Sequence, residues 1–104
     1  MTKVLNWENL HDATLIGISV DWESGRCEIA LKPSIAEIPS ASIVATDLRN
    51  LMIPRKAPWG MSVSINRISW RSDESGEISM LGIEMQSGDT LSVEARSIGI
   101  AQSR

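Results

Sequence analysis

The chain has no phenylalanine and no tyrosine, and only one cysteine and one histidine among its 104 residues. Each shortage closes off a class of function. A lone cysteine cannot form an internal disulfide, which fits a reducing compartment. One histidine and one cysteine cannot build an all-nitrogen or thiolate zinc site within one subunit. No run approaches the roughly 20 apolar residues of a membrane span. The opening stretch, Met1 to Asn9, turns polar too early for a secretory signal. The expectation is a cytoplasmic protein with no membrane partner. The glycines stand singly in turn-like stretches, so no phosphate-cradling loop is present. No serine sits in a nucleophile-elbow pattern. Nothing calls for a cofactor or a metal.

What is present describes one globular domain spanning residues 1–104. An apolar fraction of 42% and a charged fraction of 22% argue against disorder. A chain of this length buries roughly 60–70% of its unfolded surface, enough for one core without staples. A net charge of −3 disfavours general nucleic-acid binding, which needs excess cations against phosphate. The charges are also segregated. Leu48 to Ser72 holds five basic residues (Arg49, Arg55, Lys56, Arg67, Arg71) and no acid. Asp73 to Ala95 holds six acids and no base. If the chain reverses between them, basic and acidic strands lie side by side.

Three turn signals share a glycine beside small or polar residues: Glu23-Ser24-Gly25, Glu74-Ser75-Gly76 and Ser87-Gly88-Asp89. Each is flanked by apolar residues alternating with period two, the mark of half-buried strands. Around the first, Ile16, Ile18, Val20 and Trp22 are expected on one face with Cys27, Ile29 and Leu31. Around the second, a register that opposes Arg71 to Glu77 also sets Trp70 on Ile78, Ile68 on Met80, Ile65 on Ile83 and Val63 on Met85. Around the third, a three-residue connection sets Ile83 on Leu91 and Leu81 on Val93. Apolar parity switches near Asn66-Arg67 and Leu81-Gly82, which signals a bulge or a sharp bend.

The expected fold is therefore mainly β. It is an antiparallel meander of about six strands, strongly bent or forming a partly open barrel, with at most a short N-terminal helix. Asn6 is a plausible cap for that helix. Residues 43–53 suit either a helical turn capped by Asp47 or an irregular strand, and the β-branched Ile43-Val44-Ala45-Thr46 favours the strand. Ser97 to Arg104 alternates weakly and is expected to fray at its end. The four tryptophans (Trp7, Trp22, Trp59, Trp70) are expected to fill the core.

Two groups of residues are candidates for binding, and none for catalysis. Arg55-Lys56-Ala57-Pro58-Trp59-Gly60 joins two cations to a large aromatic in a Pro/Gly loop, where recognition residues concentrate. The plain alternative has Trp59 covering one end of the core, with Arg55 and Lys56 merely solvated. His11-Asp12 is the only histidine–carboxylate pair, and with Arg67 it defines a second, ligand-binding or enzymatic reading. Its plain alternative is a structural turn into the first strand. Cys27 follows Arg26, but strand alternation buries it as an inert thiol.

The string His11-Asp12-Ala13-Thr14-Leu15 resembles the opening of some short bacterial β-rich proteins. Pro58-Trp59-Gly60-Met61-Ser62-Val63-Ser64-Ile65-Asn66 adds to the likeness. Some proteins of this general look are grouped with toxin-immunity families, so the resemblance implies a module that works by binding a protein partner. It names no site residues. A homodimer is also expected, because the strand from Cys27 to Leu31 would be an edge guarded only by Glu28 and Lys32, and because four tryptophans are a surplus for so small a core.

Overall fold

A computed structural model of the chain describes residues 5–56 and 62–103. It contains a 3-10 turn, Trp7–Leu10, and six strands: β1 Thr14–Asp21, β2 Arg26–Lys32, β3 Ser40–Met52, β4 Ile65–Ser72, β5 Ser79–Met85 and β6 Thr90–Ser103. All pairings are antiparallel in one sheet of order β1-β2-β3-β6-β5-β4. The sheet is two three-stranded meanders joined through β3 and β6. Among the described residues no helix is long and apolar enough to cross a membrane.

Alternation decides which face is buried. Cys27, Ile29 and Leu31 of β2, Ala41, Ile43 and Ala45 of β3, Leu81, Ile83 and Met85 of β5, and Leu91, Val93 and Ala95 of β6 all point to one interior. Rows of opposed side chains cross the sheet. Ile18, Ile29, Ile43 and Ile100 form one row, and Trp70, Leu81, Val93 and Leu51 another. Alanines at 41, 45 and 95 leave room where a concave face crowds its side chains. Leu10 and Ala13, both fully buried, plug the interior from the N-terminal turn. Asn6 caps that turn through a reciprocal pair with Asn9, at 3.0 and 3.2 Å.

The sheet bends until its two edges touch at one end. Thr14 bridges Ser64. The Asp12 N–H donates to the Ile65 carbonyl at 2.8 Å, the Ile65 N–H to that of Ala13 at 2.9 Å, and the Leu15 N–H to that of Val63 at 2.7 Å. Elsewhere among the described residues the edges stay apart, so the barrel is open. Register breaks near Ile16, Arg49 and Asn66 each insert an extra residue, and such bulges add the twist that bending requires.

Several sequence expectations hold. All three turn glycines have positive φ: Gly25 at 74°, Gly76 at 76° and Gly88 at 104°. Ile83 faces Leu91 and Leu81 faces Val93. Residues 40–52 are strand rather than helix. The parity switch at Asn66 is a bulge, and Cys27 is fully buried, with its thiol pKa raised by desolvation.

Others need correction. The second hairpin is shifted by three residues, with Ile68 on Ile83, Trp70 on Leu81, Arg67 on Glu84, and Arg71 on Met80 instead of Glu77. The cause is Asp73. Its Oδ1 accepts the N–H groups of Glu77 at 3.1 Å and Ile78 at 3.2 Å, while its own N–H donates to the Ile78 carbonyl at 2.8 Å. Those bonds absorb residues 73–78 into the connection, and an odd shift exchanges the faces that meet. Gly82 is no bend. A Cβ there would lie 2.9 Å from Ser69 Oγ, so the glycine admits a neighbouring side chain. In the first hairpin the bulge puts Leu15, not Ile16, opposite Leu31. The weakly alternating tail from Ser97 is strand, because β6 continues along β3 to Ser103, and the end residue Arg104 lies outside the described residues. The tryptophans are not all core: Trp7 is half-buried, Trp70 is 46% exposed, Trp22 is 92% exposed, and Trp59 lies outside the described residues. Finally, β2 is no edge. It lies between β1 and β3, which removes that edge as a ground for a homodimer and leaves the surplus of tryptophan as the other.

Two stability tests follow from this frame. At Gly25 a Cβ would lie 3.4 Å from the Asp47 Cα in a left-handed conformation, whereas at Gly99 it would meet nothing within 4 Å. Gly25→Ala is expected to lose about 1–2 kcal/mol in urea unfolding. Gly99→Ala is expected to be neutral or slightly stabilising. Asp73 has its carboxyl pKa lowered, chiefly by the Ile78 backbone N–H and then the Ser75 hydroxyl. A depressed pKa means stability that is present above the ordinary carboxylate range and is lost as pH falls through the folded-state value. The gap in urea midpoint between wild type and Asp73→Ala should thus be full near pH ~7 and narrow as pH falls below the ordinary carboxylate range. A gap that ignores pH would refute the role of the ionised carboxylate.

Candidate functional site

The two candidate groups flank the seam between β1 and β4. On one side the bulge at Asn66 collects His11, Asp12 and Arg67. His11 Nδ1 donates to the Asn66 carbonyl, and Nε2 lies 3.5 Å from Asp12 Oδ2. Asp12 Oδ1 accepts Gln86 Nε2 at 2.6 Å, and the Gln86 N–H donates to the Ser64 carbonyl at 2.9 Å. Glu84 Oε1 takes both Arg67 Nε at 2.8 Å and Asn66 Nδ2 at 3.4 Å. The structure thus brings His11 and Asp12 together and puts Arg67 on the same surface.

That surface is a fastening. Asp12 holds a left-handed φ of 66°, and its side chain, main chain and neighbour Gln86 tie the N-terminal 3-10 turn to β4 and the third turn. His11, Asp12 and Arg67 are each exposed, so a ligand there would meet solvent-screened groups already engaged with neighbours. Exposed pairs of this kind carry modest energies and no water-excluded chemistry. Among the described residues, no three of His, Cys, Asp and Glu gather as they would to hold a metal ion.

On the other side of the seam lies a cleft of about 270 Å³. Its wall is apolar, formed by Leu15, Ile16, Ile53, Val63, Met85 and Leu91. Three of these stand largely in water: Ile16 at 64%, Val63 at 59% and Ile53 at 43%. Each has a local cause. Ile16 is the extra residue of the β1 bulge, Ile53 follows the end of β3, and Val63 precedes β4. Pro54, Arg55, Ser62, Ser87 and Asp89 complete the lining. Asp89 joins the segment after β3 to the third turn, since its Oδ1 accepts the Lys56 N–H at 3.2 Å and its Oδ2 the Ser87 hydroxyl at 3.4 Å. Of the sequence candidates, Arg55 and Lys56 are therefore exposed at or beside this cleft, and Trp59 lies outside the described residues.

Sequence reasoning overlooked the apolar wall. Its residues come from β1, the end of β3, the approach to β4, β5 and β6, and nothing in their spacing announces a shared cleft. The nearest available signal was Ile53-Pro54-Arg55, an apolar residue beside a cation in a stretch where strand alternation has already ended. Gln86 and Glu84 were likewise overlooked as partners of Asp12 and Arg67. No protein-family model, no curated protein and no solved structure matches the chain.

The fastening can be separated from any chemistry at Asp12. Asparagine tolerates the left-handed region and keeps a side-chain acceptor for Gln86, whereas alanine does neither. Asp12→Ala should cost about 1–2 kcal/mol in denaturant unfolding, and Asp12→Asn clearly less. Equal losses would show that the carboxylate charge, rather than the conformation, matters at this position.

Proposed function

We propose that this protein is a non-catalytic binding module that takes a protein partner at the cleft beside Arg55. One observation carries the reading: Ile16, Ile53 and Val63 are exposed together around a single apolar depression whose lining includes Arg55. Water-exposed apolar clusters with a polar rim favour association, because covering them releases their hydration cost. Arginine at such a rim suits an interface, since it pairs with carboxylates and packs its stem on apolar surface. A cleft of about 270 Å³ is small for a drug-sized ligand, whose pockets run from roughly 300 to 1,000 Å³. It does accommodate one or two side chains of a larger partner.

The resemblance to immunity-type proteins supports the same class of function, neutralisation of a partner by binding, in a cytoplasmic setting suited to a single reduced thiol. The ligand-binding or enzymatic reading at His11, Asp12 and Arg67 is the weaker one. Those groups share a surface, but their polar atoms already serve the seam.

The test is affinity capture from extracts of the source cells, with products of the genes flanking its own as first candidates. Val63→Asp and Arg55→Glu are expected to lose the captured partner while keeping the wild-type circular dichroism. Replacing Arg67 with alanine should leave capture unchanged. Identical partner profiles for wild type and both cleft variants would remove the cleft from the reading.

A further inference from the structure

The outer edge of β1 is the least protected part of this sheet. Among the described residues, β1 has an outer neighbour only at its beginning, where Thr14 bridges Ser64 and Leu15 reaches Val63. From residue 16 to the turn the strand contains no proline and no basic residue, and Asp21 is its one charge. The opposite edge, β4, carries Arg67 and Arg71. Lysine, arginine, proline, inward charges and bulges are among the ways edges resist pairing, and beyond its bulge at Ile16 the β1 edge has none of them. Apolar side chains stand in water along it, Ile16 at 64% and Val20 at 42%, and Trp22, the first residue of the turn that follows, is 92% exposed. Exposing nearly a whole indole is costly, since aromatic side chains normally bury most of their area.

The hairpin fixes which residues offer their backbone outward. The Gly25 N–H closes the turn on the Asp21 carbonyl at 2.9 Å, and Asp21 opposes Arg26 as the first pair. Residues of an antiparallel strand alternate between facing one neighbour and facing away. Asp21 and Ser19 therefore face β2, while Ile18 and Val20 turn N–H and C=O outward. The bulge at Ile16 reconciles this with the seam, where Leu15 is the outward residue.

We propose that a second copy of this chain pairs antiparallel along β1, about a twofold axis at Ser19. In that register Ile18 exchanges hydrogen bonds with Val20 of the second copy, and Val20 with its Ile18. Ser19 faces Ser19, and Trp22 comes level with Ile16, so the most exposed apolar residue of the strand and that of the adjoining turn cover each other. Asp21 meets Gly17, which leaves no like charges opposed. The match is self-complementary, as a twofold interface requires. It also uses the whole run from 16 to 22. Any other even register either shortens the run or collides with the seam at Leu15. The pairing shares Ile16 with the cleft. Ile53, Arg55 and Val63 take no part in it, and the Ser19 variants that test it touch no residue of the cleft lining, so its failure is distinguishable from that of the partner proposed there.

Light scattering after size exclusion at high micromolar protein should give twice the 11.4 kDa of the chain. Ser19 is exposed, and opposed residues at a non-hydrogen-bonded pair have Cα atoms about 4.5 Å apart, within disulfide reach. Ser19→Cys should form a cross-linked dimer on mild oxidation, whereas Ser24→Cys should not. The buried Cys27 adds no background. Ser19→Lys opposes two cations across the axis and should weaken association at least about tenfold, with an unchanged circular dichroism spectrum. A wild-type mass of 11.4 kDa at that concentration overturns the proposal. So does a dimer that survives Ser19→Lys and leaves Ser19→Cys uncross-linked, because it is then assembled elsewhere.

Discussion

The pairing of β3 with β6 is the constraint on which the rest of this structure depends. These are the two longest strands, and they run together from Ser40 beside Ser103 to Met52 beside Ser92. Each three-stranded meander is local and could close through its own turns. Only this non-local ladder makes one sheet of them, and ladders between distant segments form late because loop-closure entropy precedes their reward. Ile43 against Ile100 and Leu51 against Val93 supply apolar contact along it. The chain thus commits its central strands to a contact that no short stretch of sequence could form alone.

Curvature follows from where regularity fails. The extra residues at Ile16, Arg49 and Asn66 fall in β1, β3 and β4, the two edges and one of the central strands. At β3 the irregularity includes Asp47 with φ at 55°, and the Leu48 N–H there donates to the Gly25 carbonyl at 2.8 Å. The first turn is thereby pinned onto the bend. Together these features bring the edges into contact at the seam without closing a barrel. Surface chemistry is a by-product of the same geometry. The bulge at Asn66 gathers His11 and Asp12 near Arg67, and the bulge at Ile16 turns an isoleucine out beside Val63.

The charge segregation has a similar explanation. Basic β4 and acidic β5 lie together, and Arg67 pairs with Glu84 at 2.8 Å. Arg67 is 79% exposed on its side chain, so the pair adds little stability by itself. Its more important consequence is avoidance. With opposite signs on the two strands, no register of this pair sets like charges against each other, so charge alone leaves the register open. Hydrogen bonding at Asp73 then selects the register that forms.

The sequence by itself determined the strands, the turns and the inward face. Alternation of Cys27, Ile29 and Leu31, of Ala41, Ile43 and Ala45, and of Leu81, Ile83 and Met85 is a local property with period two. The glycines at 25, 76 and 88 mark turns because their φ values are local as well. The choice of strand for 43–52 was legible for the same reason, in its β-branched residues. Arg55 and Lys56 could be picked out as exposed cations, and His11-Asp12 as a turn, from neighbours alone. Tertiary structure decided what depends on distant partners. The tail from Ser97 alternates weakly, yet it is strand because β3 supplies its ladder. The three-residue shift in the second hairpin came from one carboxylate taking backbone N–H groups across the loop, which an alternation pattern does not record. Trp22 reads as core by composition and stands in water, because the sheet ends at β1. The cleft is assembled from five separate stretches of chain, and only the bend brings Ile16, Ile53 and Val63 to one place.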